Sequence, residues 1–151
     1  MGQAMPNVSE AERRVRASFA RQQLMATLGA SIAAVRPGEV EIELPFSEAL
    51  TQQHGFVHAG AVAAIADSAC GYAALSLMPE NAAVLTTEFK INLMAPAAGD
   101  RFRACGRVVR PGRKLHVCLG EVFAERGDTR KQIALMTASM MVVETETGLR
   151  D

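Results

Sequence analysis

Three groups of residues have types and spacing suited to chemistry. The first is a single carboxylate, Asp67, inside residues 54–78, a run of mostly small apolar residues (HGFVHAGAVAAIADSACGYAALSLM). An unpaired acid in a buried helix is costly, so a sequence that keeps one has a partner or a use for it. In an acyl-transfer reaction Asp67 can activate water or attack the acyl carbon itself. The second group is the start of that run, where the amides near Ala59 are free donors at the positive end of a helix dipole and can stabilise an oxyanion. The third is Arg110-Pro111-Gly112-Arg113-Lys114, three cations around a tight turn.

Asp67 lies eight residues beyond Ala59, or about 12 Å along an ideal helix. One small reacting group cannot touch both. If both serve one reaction, the donor and the acid come from different copies of the chain, which predicts a homodimer with two composite sites. The structural alternative is an acid tied up by Ser68 or by a backbone amide. His54 and His58 stand four apart, a spacing that suits a metal pair, but Gly55 between them and the absence of the HExxH glutamate argue against a metal. His58 is read as capping or bracing the helix start.

The acid must be carried by a helix. Eight alanines between Ala59 and Ala74 and no proline before Pro79 give residues 59–78 strong helical preference. The helix is apolar on nearly every side, so other elements must wrap it. A membrane span is a poor fit, because alanine contributes little to insertion and Asp67 near its centre would cost about 2.5–3.5 kcal/mol. Gly60 and Gly71 mark expected points of close backbone approach.

Before this helix, Ser9 with Glu12 has capping-box spacing, and Val15, Phe19, Leu24, Met25 and Leu28 share one side, which predicts a helix from about Ser9 to Leu28 ended by Gly29. A period of two follows. Residues 31–35 and 39–46 form a hairpin around Arg36-Pro37-Gly38, and strands are expected over 85–94, 101–110, 115–124 and 133–143, the last two apolar enough to be central. Residues 96–100, Pro111-Gly112 and Gly127-Asp128 read as hairpin joints between antiparallel neighbours. The expected fold is α+β, a six-stranded antiparallel sheet curled round one long helix, with an N-terminal helix. Residues 1–8 are read as a disordered leader and 9–151 as one domain.

At 151 residues the chain suits a single domain, and sixteen basic against sixteen acidic residues give no net charge. Nothing favours bulk nucleic-acid binding or electrostatic membrane docking, and any anionic ligand must be met by a local cluster. Without tryptophan and with one tyrosine, the chain lacks a stacking platform for single strands. Cys70, Cys105 and Cys118 show no CxxC pair, so they are expected to be packing residues rather than a disulfide or zinc framework. The N-terminus lacks signal-peptide order, because Arg13, Arg14, Arg16 and Arg21 break any apolar run, and a cytoplasmic location is expected.

Two separated motifs, Gln52-Gln53-His54-Gly55-Phe56-Val57-His58-Ala59-Gly60 with Asp67 and Gly71, then Thr86 through Pro96 (TTEFKINLMAP), resemble the PaaI-like branch of hotdog-fold acyl-CoA thioesterases over about residues 25–143. The resemblance implies hydrolysis of acyl-CoA to free acid and CoA. It makes Asp67 the catalytic acid and the Ala59 amide the donor to the thioester carbonyl. His58 matches the histidine of the family's His-Gly-Gly run, Gln52 falls where relatives often have an asparagine that orients water or substrate, and Thr86 assists from a strand. Gly60 completes the run as a substrate-binding position. Arg110, Gly112, Arg113 and Lys114 look like the family's hairpin near the CoA phosphates; an ordinary solvated turn is the other reading. Two positions depart from the pattern: alanine for glycine at 59, which narrows the backbone approach, and the longer glutamine at 52.

The resemblance also implies a homodimer whose active sites straddle the interface, extendable to a tetramer, with no separate cofactor because coenzyme A is part of the substrate. Rival readings are a non-catalytic acyl-CoA binder and a hotdog dehydratase. The latter wants an Asp/His pair, and His116 is the only histidine after Asp67. Acyl preference, and whether Asp67 is base or nucleophile, stay open at this level.

Overall fold

The computed structural model describes residues 8–144 and 148–151. The expected leader, Val8 apart, therefore lies outside the described residues. Helix α1 (Glu10–Arg21) starts as the capping box requires, with the Ser9 hydroxyl accepting from Glu12 N at 3.1 Å. A short α2 (Gln23–Leu28) follows and ends on Gly29 at φ 79°. The sheet comprises β1 (Ser31–Arg36), β2 (Glu39–Pro45), β3 (Ala82–Leu93), β4 (Arg101–Arg110), β5 (Leu115–Arg126) and β6 (Thr129–Glu144). Between β2 and β3 lies α3 (Ala59–Leu75).

All strand pairs are antiparallel, in the order β1-β2-β4-β5-β6-β3, and one face of the sheet wraps α3. This is the expected hotdog architecture. Ile65, Ala66, Ala69, Cys70, Ala73, Ala74 and Leu75 are fully buried, with Ile42, Leu44, Phe102, Val122 and Met136 from the strands.

Two expectations need correction. The N-terminal helix is not continuous, since Gln22 takes φ −80°, ψ 103° and separates α1 from α2. Local propensity yields there to tertiary hydrogen bonds that the Gln22 side chain makes to α3, at Ser68 and Tyr72. Residues 96–100 are not a hairpin joint. β3 pairs with β6 and β4 with β2 and β5, so the segment crosses the ends of β6 and β5. It is tied there by Met94 N to Ile133 O (2.7 Å) and Asp100 N to Glu125 O (2.8 Å).

The close backbone approaches also lie elsewhere than expected. A Cβ at Gly71 would meet only Met140 Sδ at 3.9 Å, an ordinary contact. At Gly106 it would fall 2.3 Å from the Ala69 carbonyl carbon, and at Gly120 2.9 Å from Cys70 Sγ. Gly106 and Gly120 face each other across β4 and β5, so paired glycines make a notch in which the α3 backbone sits directly on the sheet. That notch sets the depth of residues 66–70, Asp67 among them.

The far end of α3 is fixed by Arg14, whose guanidinium donates to the carbonyls of Leu75, Met78 (3.0 Å) and Pro79 (2.6 Å). A cation on these orphan carbonyls also suits the helix dipole. Arg14→Ala is expected to lower stability by about 2 kcal/mol, because charged donors to part-buried carbonyls are lost. Denaturant midpoints at unchanged m would show it.

Candidate active site

His58 is the N-cap of α3, and its Nδ1 accepts from Gly60 N at 2.7 Å. That contact makes Nδ1 the acceptor and places the ring proton on Nε2. Ala61 and Val62 donate to the His58 carbonyl at 2.9 and 3.3 Å. Among the described residues no acceptor meets the Ala59 N–H, which is left as the exposed donor of the first turn. The segment before it is a tight loop: Gln52 N donates to Phe56 O (2.8 Å), Gly55 N to Gln52 O (3.0 Å), and His54 N to the Gln52 side-chain oxygen. Gln52, Phe56, His58 and Ala59 line a cavity of about 510 Å³ whose remaining wall is apolar, including Leu93 and Met94.

Asp67 lies half-buried on α3 in a separate cavity of about 120 Å³, lined by Gln22, Ser68, Gly71, Tyr72 and Thr86 among others. Thr86 Oγ1 donates to Asp67 Oδ1 at 2.7 Å. The register of β3 against β6 shifts between Thr86 and Glu88, a bulge beside the residue that reaches the acid. Burial pushes the Asp67 carboxyl above the ordinary range, and the Thr86 hydrogen bond pulls it partly back. Ser68 does not tie up the acid, because its hydroxyl donates to Gln22 Oε1 (2.9 Å).

The structure thus joins Asp67 with Thr86, and Gln52 with His58, Ala59 and Gly60, but keeps the two sets in different cavities of one chain. Arg110, Gly112, Arg113 and Lys114 occupy a third place, the exposed end of β4 and the loop that leads from it to β5. A Cβ at Gly112 would meet Leu115 O at 2.2 Å, so the turn requires glycine. Leu115, Met141 and Leu85 share one row across β5, β6 and β3, eight residues along β3 from Leu93. The loop therefore lies at the opposite end of the sheet from Ala59, roughly 25 Å away along the strand.

His116 is buried on β5 with Nδ1 unpartnered among the described residues, and burial pushes its pKa down. Met140 stands between it and Thr86 in the same row, so no Asp/His dyad forms. Sequence reasoning missed Gln22 and Tyr72 as neighbours of the acid. Their only signal is polarity on a helix side that periodicity assigned to packing.

A family model described as the thioesterase superfamily matches residues 54–131. The chain is similar to a thioesterase family protein from Silicibacter pomeroyi, with 54% identity, 89% of this chain and 98% of that chain covered, and a TM-score of 0.87. The PaaI protein of the E. coli phenylacetic acid degradation operon shares the fold at 22% identity and a TM-score of 0.79, over 88% of this chain and 93% of that one. A protein of Halobacterium salinarum, provisionally named an esterase, is 34% identical over 99 residues, 62% of this chain. The match spans 65% of that relative's length.

Proposed function

The chain belongs to the thioesterase superfamily, and from that premise we propose that it hydrolyses acyl-CoA to free acid and CoA. The observation that carries the reading is the Asp67 carboxylate, half-buried on a wrapped helix and held on one oxygen by Thr86. Thioester hydrolysis needs a base or nucleophile at the acyl carbon and a donor on its oxygen, while a thiolate leaves without much protonation. Asp67 supplies the first and the Ala59 amide the second, with His58 holding the helix start that presents the amide. Gln52 orients substrate beside them through the amide nitrogen of its side chain.

The two cavities of one protomer serve this reaction when a second copy brings the partner's Ala59 to Asp67. The free edge of β3 supports that arrangement. Among the described residues the strand is unpaired on one side, and Phe89 and Leu93 on it and Met94 just beyond it are 47%, 53% and 51% exposed. We place a homodimer with two composite sites on this edge; sedimentation should give at least a dimer, and a purely monomeric active protein would remove the arrangement.

Purified protein tested against aryl, short and long acyl-CoAs for thiol release decides the function. Turnover is expected. Saturable binding with no turnover across the panel would replace the hydrolase with an acyl-CoA binder.

The loop of Arg110, Arg113 and Lys114 offers exposed cations and a glycine-dependent turn to the phosphates of coenzyme A. Arg113→Glu is expected to raise KM for CoA esters about fivefold, the scale of one exposed charge pair, and to leave thioesters lacking the nucleotide unchanged. An equal effect on both would remove the loop from phosphate binding.

A further inference from the structure

One wall of the Asp67 cavity is a hydrogen-bond chain with a single direction. The Ser18 hydroxyl lies 3.0 Å from Asp151 Oδ1 and 3.3 Å from the Tyr72 hydroxyl. A carboxylate only accepts, so the one Ser18 proton goes to Asp151 and Tyr72 gives its own proton to Ser18. The Tyr72 oxygen then accepts from Gln22 Nε2 (3.1 Å), and Gln22 Oε1 accepts from Ser68 (2.9 Å). Ser68 is left with its proton committed and its oxygen able only to accept. The break between α1 and α2 is what brings Gln22 into this chain.

Asp67 shows the matching asymmetry. Oδ1 accepts from Thr86, and among the described residues Oδ2 has no hydrogen bond. Asp67 and Ser68 are consecutive on α3 and line the same cavity of about 120 Å³. That space holds about four waters at ~30 Å³ each.

Building on the thioesterase reading, we propose that Ser68 is a further catalytic residue, which with Asp67 Oδ2 accepts hydrogen bonds from the two O–H groups of the attacking water, and that Gln22 positions Ser68. With both O–H groups held, a water lone pair points away from the wall toward the acyl carbon. The water oxygen bonds to that carbon, Asp67 takes the proton, the carbon–sulfur bond breaks with its electrons on sulfur, and the thiolate recovers the proton from Asp67. Asp67 is then a base and no acyl-enzyme forms.

Ser68→Ala is expected to lower kcat about tenfold with KM unchanged, and Gln22→Leu about threefold, the scale of one hydrogen bond each. Ser68→Thr should recover most of the rate. In the Ser68→Ala background Gln22→Leu should have no further effect on kcat, which a merely structural glutamine would not obey. A single turnover in ¹⁸O-labelled water should label the product acid. The proposal is overturned by wild-type kcat in Ser68→Ala while Asp67→Ala is dead, by multiplicative losses in the double variant, or by unlabelled acid. A wild-type protein that cleaves no thioester would instead remove the reading on which it rests.

Discussion

Asp67→Ala is expected to fold and to hydrolyse acyl-CoA about 10²- to 10⁴-fold more slowly than the wild type, the range for removal of a general base. Wild-type turnover in this variant would end the mechanism. The isosteric Asp67→Asn should be as inactive, yet more stable. Burial raises the folded pKa of Asp67 above its unfolded value, so the acid favours folding at low pH, where it is protonated, and loses that contribution as pH rises through the raised pKa. At neutral pH the charge is therefore a cost, which asparagine avoids. The rate should have the opposite dependence, falling as acid protonates the base, with its limb above the range of an ordinary carboxylate. Thermal unfolding of Asp67→Asn at pH 7 and pH–rate profiles of the wild type test both signs.

The largest loss of stability is expected at Gly106, which supports the helix behind the acid and touches no reacting group itself. A methyl there would meet the carbonyl carbon, the carbonyl oxygen and the next amide nitrogen of α3 at 2.3–2.5 Å, and none of these is a flexible side-chain end. Gly106→Ala must lift the helix out of its notch, an overpacking cost of about 3 kcal/mol. For a chain of this size that lowers Tm by about 6–12 °C. Gly71→Ala is the contrasting case. It adds a methyl at ordinary distance from a methionine sulfur and gains helix propensity of up to about 1 kcal/mol, so it should be neutral or stabilising. A Gly106→Ala protein melting with the wild type would show that the notch is not needed.

The contrast between these glycines also shows what the sequence could reveal. The wrapped helix with its one acid was legible because composition and periodicity are local signals, and the strands were legible for the same reason. A strand glycine that receives a helix backbone looks like any other, and only the pairing of Gly106 with Gly120 gives it meaning. The break at Gln22 was hidden because helical periodicity continues on both sides of it, while the bonds that favour it reach Ser68 and Tyr72, 46 and 50 residues away. The path of residues 96–100 was misread because a short proline- and glycine-bearing segment signals a turn without saying which strands it joins. Around the acid, the family resemblance points to Thr86, whose hydroxyl meets Asp67 Oδ1, whereas sequence alone offers Ser68 only as a partner that would silence the acid.

The place of β3 has a consequence for synthesis. This strand carries Thr86, and among the described residues its sole neighbour strand is β6, which ends at Glu144. While the ribosome is still making the intervening residues, an alanine-rich helix and a strand with bare hydrogen-bonding groups wait together for a mate that emerges later. Pairing over such sequence distances is slow and leaves apolar surface open to misassembly. The nascent polypeptide should thus depend on holding chaperones until β6 clears the exit tunnel, and truncation ahead of that strand should yield insoluble product.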